Sequence, residues 1–367
     1  MSCDFLALAM PSIQSLQPYQ PGKPIDELAR KQGLVAGEII KLASNENPLG
    51  APQSALAAMQ KVLPEISRYP DANGFYLKQA LATKYDIDVK QITLGNGSND
   101  VLVLLAECYL TAGLSAIHSE YAFFIYSLAI KATGAEGLVV PALNKAHNLN
   151  AMVEAIEANT RMIFLANPNN PTGTCFSESA LIAFLQQVPD TVLVVLDEAY
   201  VEYRDEPERS NSITLIKQFP NLVITRTFSK AYGLAGCRVG YSVSHPDVAG
   251  ILNRLRQPFN VNVLAQEAAL AVLSDEDYLD RTRAINNQGM KQLHSGLTQL
   301  GLECIPSSGN FICVNMKQNA QTIYQRMLSR GVIVRPIANY NLPEHLRISI
   351  GTPNENQRCL DVMKAIL

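Results

Sequence analysis

Short apolar runs alternate with amphipathic segments along the first two thirds of the chain. Runs rich in Val, Ile and Leu predict seven β-strands, at residues 92–94, 114–118, 137–140, 162–166, 192–196, 222–225 and 239–243. Helices are predicted between them at 99–110, 151–158 and 180–187, each after a serine or asparagine (Ser98, Asn148, Ser177) that can cap the first turn. Strands and helices in this rhythm predict a largely parallel sheet covered on both faces.

The pattern changes near residue 256. A helical stretch runs to about residue 299, and strand-like segments follow at 303–316, 332–336 and 346–350, with helices at 320–330 and after 354. Residues 1–42 contain Pro11, Pro18, Pro21 and Pro24, which predict an extended arm. We therefore expect an N-terminal arm (1–42), a large α/β domain (43–255) and a smaller C-terminal α+β domain (256–367).

Composition narrows the class of protein. The chain has 367 residues, of which 47% are hydrophobic, so it can bury a core for two domains. The net charge is −3 without blocks of like charge, which argues against a partner that is nucleic acid or an anionic membrane. The longest apolar run, 121–130, is shorter than the ~20 residues of a membrane span, and the N-terminus lacks the charge pattern of a signal peptide.

Cysteine and histidine spacing adds two expectations. The seven cysteines are scattered and form no CxxC pair, so neither disulfides nor a zinc site is predicted, and a reducing cytoplasm is the expected location. The five histidines also lack the spacing of metal ligands.

Polar motifs follow the carboxyl ends of four predicted strands. They are residues 95–99 (Gly-Asn-Gly-Ser-Asn), 167–173 (Asn-Pro-Asn-Asn-Pro-Thr-Gly), 197–200 (Asp-Glu-Ala-Tyr) and 228–230 (Phe-Ser-Lys). Each motif alone is explained by a turn, a helix cap or a solvated charge. Because ligands of open parallel sheets bind beyond the carboxyl ends of the strands, their coincidence predicts a ligand site there.

Nucleotide ligands fit these motifs poorly. The segment Gly95-x-Gly97-x-x-Asp100 lacks the third glycine of a dinucleotide fingerprint, and the chain has no GxxxxGK[ST] loop. A lysine, an acid, an asparagine, a tyrosine and a phosphate-type loop instead match pyridoxal phosphate. That cofactor needs an amine for its aldehyde, a carboxylate for its pyridine nitrogen and hydrogen-bond donors for its phenolate oxygen.

Longer motifs resemble those of the fold-type I pyridoxal-phosphate-dependent aminotransferases. They are the first three motifs above and residues 229–241 (Ser-Lys-Ala-Tyr-Gly-Leu-Ala-Gly-Cys-Arg-Val-Gly-Tyr). Residues 16–24 (Leu-Gln-Pro-Tyr-Gln-Pro-Gly-Lys-Pro), 41–50 (Lys-Leu-Ala-Ser-Asn-Glu-Asn-Pro-Leu-Gly) and 68–71 (Arg-Tyr-Pro-Asp) are similar to the histidinol-phosphate aminotransferases within that group. The resemblance runs essentially from Ile13 to the C-terminus.

This resemblance implies a fold and a reaction. The implied fold has a large domain with a mostly parallel seven-stranded sheet and a smaller α+β C-terminal domain. The implied reaction is amino transfer between L-histidinol phosphate and 2-oxoglutarate, a step of histidine biosynthesis.

The resemblance also implies catalytic roles for three residues. Lys230 would bind the cofactor aldehyde and, once displaced by substrate, carry a proton. Asp197 would pair with the pyridine nitrogen. Tyr200, together with the cofactor-binding Asn170, would donate hydrogen bonds to the phenolate oxygen.

The remaining implied positions bind the rest of the cofactor. The phosphate would lie at a helix N-terminus among Gly97, Ser98, Asn99, Ser229 and Arg238. Tyr121 would stack on the pyridine ring. Tyr69 would reach the phosphate of the neighbouring subunit's cofactor, which implies a homodimer.

Substrate binding is implied for two arginines and two neighbours. Arg347 would bind the α-carboxylate, and Arg335 with Tyr19 and Asn45 would lie near the substrate phosphate or the distal carboxylate of glutamate. The planar guanidinium suits both groups.

The chain departs from the family pattern at two places. Residues 119–124 (Ser-Glu-Tyr-Ala-Phe-Phe) stand where Pro-x-Tyr is usual, and Phe259 stands where a tyrosine hydroxyl is common. Loss of that hydroxyl would weaken a contact with the substrate phosphate. An aromatic amino acid aminotransferase and a decarboxylase of the threonine-phosphate type therefore stay open as alternatives.

Overall fold

A computed structural model describes residues 3–14, 16, 18, 22–204 and 211–367. The strands are β1 Ile40–Lys41, β2 Ile92–Gly95, β3 Ser115–Ser119, β4 Glu136–Val140, β5 Thr160–Ala166, β6 Leu193–Asp197, β7 Leu222–Thr227, β8 Gly240–Val243, β9 Glu303–Ile305, β10 Phe311–Asn315, β11 Val332–Ile333, β12 Arg335–Ile337 and β13 Leu342–Ser349. The helices are α1 Pro11–Gln14, α2 Ile25–Gln32, α3 Gln53–Val62, α4 Phe75–Tyr85, α5 Ser98–Tyr109, α6 Phe124–Ala132, α7 Leu149–Glu154, α8 Glu178–Leu185, α9 Ser212–Leu215, α10 Pro246–Leu255, α11 Val263–Val272, α12 Glu276–Gln299, α13 Ala320–Leu328 and α14 Pro353–Ile366.

The larger sheet has seven strands in the order β2-β8-β7-β6-β5-β3-β4. Neighbouring strands from β7 to β4 pair in parallel, and β8 runs antiparallel to both β2 and β7. This confirms the predicted mostly parallel seven-stranded sheet, and each strand lies within two residues of its predicted limits. The carboxyl ends of β2, β5, β6 and β7 consequently meet at one edge of the sheet.

Both faces of the central strands of this sheet are buried, whereas the edge strand β4 is largely exposed. Ile163 and Leu165 of β5 pack with Val194 of β6 in one apolar cluster. Met162 and Phe164, the residues that alternate with them, belong to a second cluster on the opposite face. Because neither face meets water, these strands are continuous apolar runs without the alternation of a half-exposed strand.

Helix starts follow the predicted caps with one exception. The side chains of Asn148 and Ser177 accept hydrogen bonds from the backbone of Ala151 and Ala180, each at 3.2 Å. Ser98, in contrast, is the first residue of α5 and not its cap. The cap position is held by Gly97 at φ 85°, without a side-chain cap bond, because a left-handed residue is needed to turn from β2 into the helix.

The smaller sheet is antiparallel, in the order β12-β13-β10-β9. The predicted strand at 303–316 is two strands, β9 and β10, separated by residues 306–310 (Pro-Ser-Ser-Gly-Asn), which break the strand with turn-forming residues. Helices α12, α13 and α14 cover this sheet and share its apolar core. Within the described part of the chain, none of the helices is both long and apolar enough for a bilayer span.

The expectation of an extended N-terminal arm is wrong for α2. Pro24 is the last proline of the predicted arm, and α2 begins at the next residue. Its first turn carries two acidic side chains, and Gly33 forms its C-terminal cap. Leu28 of α2 packs with Leu328 and Ile333 of the smaller domain. Strand β1 pairs in parallel with β11, so this part of the predicted arm packs against the C-terminal part of the chain.

Candidate active site

A cavity of about 430 Å³ opens at the carboxyl ends of the parallel strands, where the larger sheet faces the smaller one. Eleven predicted site residues line it: Asn45, Ser98, Asn99, Asn170, Asp197, Tyr200, Ser229, Lys230, Arg238, Arg335 and Arg347. Ser44, Phe123, Phe124, Tyr126 and Tyr340 complete much of the wall. The polar motifs that are far apart in sequence therefore share one cavity.

Lys230 follows β7, and its amine is held inside this cavity. Nζ donates a hydrogen bond to the carbonyl oxygen of Ser44 at 3.1 Å and lies 5.9 Å from the centre of the Tyr200 ring. Burial lowers the pKa of Lys230 to about 8, and the neighbouring Arg347 acts in the same direction. A substantial neutral fraction near physiological pH makes this amine a competent nucleophile and base.

Asp197 is the last residue of β6 and is buried at the bottom of the cavity. Oδ2 accepts a hydrogen bond from the Tyr126 hydroxyl at 2.9 Å, and Oδ1 accepts from Thr225 Oγ1 and the Ala199 amide, both at 3.2 Å. Burial raises the pKa of Asp197 to about 6, while these three donors favour the charged form. The carboxyl group is therefore ionised at neutral pH and can pair with a cation in the cavity.

An anion cradle lies at the N-terminus of α5. Ser98 and Asn99 supply first-turn amides that have no partner within the helix, where the helix dipole favours negative charge. Arg238 Nη1 donates to Ser229 Oγ and to the carbonyl oxygen of Ala235, both at 3.2 Å. Gly97 lies against this arginine, since a Cβ at residue 97 would be 2.5 Å from Arg238 Nη2. Gly97 is not one of the residues that line the cavity.

Arg347 connects the smaller sheet to the cavity. Its Nη1 donates to Asn170 Oδ1 at 2.6 Å, and its Nη2 donates to the carbonyl oxygen of Ala43 at 2.8 Å. Its buried Nε has no hydrogen-bond partner among the residues that the structure describes. Arg335 is the cross-strand neighbour of Arg347 and lines the same cavity, so two guanidinium groups face one volume.

Two further predicted site residues, Tyr69 and Tyr121, do not line the cavity, and a third is not described. Tyr19 falls outside the described residues. Tyr69 is 81% exposed and stacks on Phe259 with ring centres 4.5 Å apart, away from the cavity wall of its own chain. Tyr121 packs against the cluster of Ile337 and Tyr340, and Phe123 and Phe124 line the cavity near it.

The sequence does not identify Tyr126 as a site residue. Tyr126 is fully buried on α6, stacks on Phe164 at 4.9 Å and donates to Asp197. It lies inside the apolar run 121–130, where an aromatic residue usually belongs to the core. No pattern around Tyr126 distinguishes its hydroxyl from those of core tyrosines, so only the folded arrangement reveals the contact.

The fold and the cavity together define a family. The family model for aminotransferase class I and II matches residues 37–363, and the chain belongs to this family. Over 367 residues the chain is 56% identical to histidinol-phosphate aminotransferase 2 of Pseudomonas fluorescens, a match that covers 100% of this chain and 99% of that protein. Its identity to histidinol-phosphate aminotransferase 2 of Pseudomonas aeruginosa is 55% over 364 residues, or 99% of each chain.

A solved structure shares the whole fold. Histidinol-phosphate aminotransferase from Sinorhizobium meliloti, determined in complex with pyridoxal-5'-phosphate, has a TM-score of 0.88 and 28% sequence identity. The match covers 98% of each chain. These comparisons confirm the resemblance found in the motifs and the predicted fold-type I class.

Proposed function

We propose that this chain is a pyridoxal-phosphate-dependent aminotransferase that moves an amino group between L-histidinol phosphate and 2-oxoglutarate in histidine biosynthesis. The observation that carries the proposal is one cavity that contains the Lys230 amine, the Asp197 carboxylate, the anion cradle of Arg238 and the Arg347 guanidinium. The full-length likeness to relatives that bear this enzyme name supports the choice of substrate.

The residues of the cavity fit pyridoxal phosphate in size and charge. The volume of about 430 Å³ lies within the roughly 300–1,000 Å³ of small-molecule sites. When bound, the cofactor supplies an aldehyde that joins an amine and a ring that accepts electrons from the substrate α carbon. Asp197 would hold the pyridine nitrogen in its protonated form, and Arg238, Ser229 and the first amides of α5 would bind the phosphate.

Lys230 would move the proton of the reaction. Its lowered pKa of about 8 leaves Nζ able to accept a proton near physiological pH and to return it. The hydrogen bond to the Ser44 carbonyl oxygen orients the amine within the cavity. Tyr200 and Asn170 would donate to the phenolate oxygen, and the aromatic wall at Phe123 and Phe124 would cover the ring.

The paired arginines suit substrates with two anionic groups. Arg347 has a buried Nε with no partner among the described residues, which is a donor available to an α-carboxylate. Arg335, on the adjacent strand, would meet the substrate phosphate or the distal carboxylate of glutamate, for which the family resemblance also implies Tyr19 and Asn45. An aromatic amino acid has an α-carboxylate for Arg347 but carries no second anionic group that could bind Arg335.

We also propose a homodimer in the cytoplasm. The exposed Tyr69 ring, held by its stack on Phe259, supports a role in the site of a second copy. The unpaired state of all seven cysteines is compatible with a reducing compartment. The proposed division of the chain remains an arm at 1–42, a large domain at 43–255 and a small domain at 256–367.

Covalent trapping tests the cofactor. The protein mixed with pyridoxal phosphate is reduced with borohydride, digested and mapped, and the labelled peptide is expected to contain Lys230. Lys230→Ala should abolish labelling, while Lys84→Ala, a lysine whose Nζ binds the carbonyl oxygen of Leu273 outside the cavity, should leave it unchanged. A label on any other lysine would contradict the proposal.

Steady-state kinetics test the substrate. We expect kcat/KM for histidinol phosphate to exceed that for phenylalanine, and Arg335→Met to lower the first by roughly 10- to 100-fold while changing the second little. Arg347→Met should lower both. A large phenylalanine preference would identify an aromatic aminotransferase, and release of carbon dioxide without an oxo acid would identify a decarboxylase.

A further inference from the structure

Four polar groups of Asn45 are engaged in one buried network. The backbone amide of Asn45 donates to Ser349 Oγ at 2.8 Å, and the Asn310 side chain donates to the backbone carbonyl oxygen of Asn45 at 2.9 Å. The side-chain amide binds Tyr200 through Nδ2 at 2.9 Å and Ser349 through Oδ1 at 3.0 Å. Asn45 is 1% exposed and has a left-handed backbone at φ 55°, so both its backbone and its side chain are fixed.

Ser349 determines which way the Asn45 amide faces. Because Ser349 Oγ already accepts a hydrogen bond from the Asn45 backbone amide, its own hydrogen is free to be donated. The Asn45 side chain turns its oxygen toward Ser349 and accepts this hydrogen, whereas an NH₂ group in that place would leave the hydrogen without an acceptor. That orientation leaves Nδ2 as the group that faces Tyr200.

The orientation of the amide in turn directs the Tyr200 hydroxyl. A tyrosine hydroxyl has one hydrogen to donate, and Asn45 Nδ2, itself a donor, cannot accept it. Among the described residues no other group hydrogen-bonds to the Tyr200 oxygen, and Tyr200 lines the active-site cavity while remaining 4% exposed. The hydroxyl hydrogen is left to point into the cavity.

We propose that Ser349 and Asn45 are positioning residues that act through Tyr200, keeping its hydroxyl as a hydrogen-bond donor to the ligand in the cavity. The inference rests on the proposed function for the identity of that ligand, whose phenolate oxygen would be the acceptor. It changes the implied role of Asn45 from a substrate contact to an orienting group. It also gives Ser349, which no motif singles out, a part in the reaction.

The position of Ser349 links this effect to substrate binding. Ser349 lies on β13 two residues after Arg347, so the two side chains are on the same face of that strand; Arg347 lines the cavity and Ser349 contacts Asn45 beside it. The strand that carries the proposed carboxylate-binding arginine therefore also fixes the direction of the Tyr200 donor. Correct docking of the smaller sheet is needed for both contacts at once.

The test is a spectroscopic pH titration of the pyridoxal-phosphate-loaded protein. A donor to the phenolate oxygen stabilises its anionic form, so loss of the donor raises the pH midpoint of the cofactor's absorbance change. Tyr200→Phe should raise that midpoint by roughly 1 to 2 pH units. Asn45→Asp should raise it at least as far, because a carboxylate would accept the Tyr200 hydrogen, and Ser349→Ala should give a smaller rise in the same direction.

Matched variants separate this role from a general loss of packing. Ser349→Thr keeps the hydroxyl and should return the midpoint to the wild-type value. Ser242→Ala changes another buried strand serine, one whose Oγ has no partner in the described parts of the chain, and should leave the midpoint unchanged. The double variant Ser349→Ala/Tyr200→Phe should raise the pH midpoint no further than Tyr200→Phe alone, because both substitutions act on one hydroxyl. The charged and titratable groups that face Tyr200, namely Arg347, Asp197, Lys230 and Tyr340, are the same in the serine variants, whereas Asn45→Asp adds a carboxylate beside them.

Two outcomes would overturn the inference in different ways. A wild-type protein that binds no pyridoxal phosphate would remove the proposed function and this inference with it. A normal wild-type titration with unchanged midpoints in Ser349→Ala and Asn45→Asp would remove this inference alone. If Ser349→Ala does not fold, the nearly isosteric Ser349→Cys, whose thiol is a weaker hydrogen-bond donor, takes its place in this comparison.

Discussion

The Lys230 amine is held where its charged form is unfavourable. Burial, reinforced by Arg347, lowers its pKa from the ordinary 10.5 to about 8. Below pH 8 the buried amine is protonated in the folded chain, and the free-energy cost of burying this charge lowers the stability of the fold. Between pH 8 and 10.5 the unfolded chain binds more protons than the folded one, so stability rises with pH across that interval.

Lys230→Met should therefore stabilise the cofactor-free protein. At pH 7 we expect the free energy of unfolding to increase by about 2 to 3 kcal/mol. The rise in stability between pH 8 and 10.5 should disappear. Urea denaturation at pH 7 and pH 9.5 measures both effects, with the exposed Lys61→Met as the control. Equal stabilities of wild type and Lys230→Met at pH 7 would show that the amine is not buried as described.

Tyr126 should control the pH range in which Asp197 is ionised. Tyr126→Phe keeps the stack on Phe164 and removes one of three donors to the carboxylate. The pKa of Asp197, already about 6, should rise further by about one unit, because a hydrogen bond to a charged group is lost. Protonated Asp197 cannot pair with the cofactor, so the acid limit of pyridoxal phosphate binding should move up by the same amount.

Equilibrium dialysis of the apoprotein from pH 5 to 8 tests this, and an unmoved acid limit would refute it. The exposed Tyr76→Phe serves as the reference.

Single residues differ in how far the sequence predicts them. Asp197 and Lys230 are identified because they lie at or just after the ends of strands, and Arg238 because it stands eight residues past Lys230 in a motif that the family shares. Tyr126 and Ser349 are not, since their partners lie 71 and 304 positions away along the chain. Such contacts depend on how helices and sheets pack, which the local pattern of polar and apolar residues does not encode.

Among the elements, the turn from β2 into α5 sets the geometry of the anion cradle. Gly97→Ala would add a Cβ 2.5 Å from Arg238 Nη2 at a backbone φ of 85°. We expect Arg238 to be displaced and pyridoxal phosphate affinity to fall by roughly 10- to 100-fold, the value of one charge-assisted contact. Gly113→Ala is the matched control, because Gly113 has a φ of 89° but no atom within 4 Å of the added Cβ. Equal affinities for the two variants would contradict this assignment, and a fluorescence titration of the apoprotein measures both.

The elements show where pattern reading works. Strands β2 to β8 are predicted because most of their residues are buried and their runs are rich in Val, Ile and Leu. Helix α2 is missed because four prolines precede it and dominate the composition of residues 1–42. Its amphipathic pattern is short, and its core residue Leu28 packs on the distant Leu328 and Ile333. Short elements stabilised by tertiary contacts are the ones that local signals identify least well.

At the scale of the whole molecule, the site joins two sheets whose relative placement the sequence does not specify. The larger sheet contributes Lys230 and Asp197, and the smaller one contributes Arg335 and Arg347. Sequence spacing alone does not bring these four together, because each pair lies in its own domain. The family resemblance supplies that expectation, and the shared cavity gives it a physical basis.

The proposed dimer predicts complementation between two defective subunits. Tyr69→Ala and Lys230→Ala chains with different affinity tags are co-expressed, and the mixed dimer is isolated. If Tyr69 acts across the interface, one of its two sites has both residues intact, so activity should be about half that of wild type per dimer. The reciprocal control pairs a wild-type chain with the double variant Tyr69→Ala/Lys230→Ala, which leaves no complete site and should be nearly inactive. If Tyr69 instead acts within its own chain, the first dimer is inactive and the second keeps half the activity, so the pair of measurements assigns the exposed Tyr69 ring to one subunit or the other.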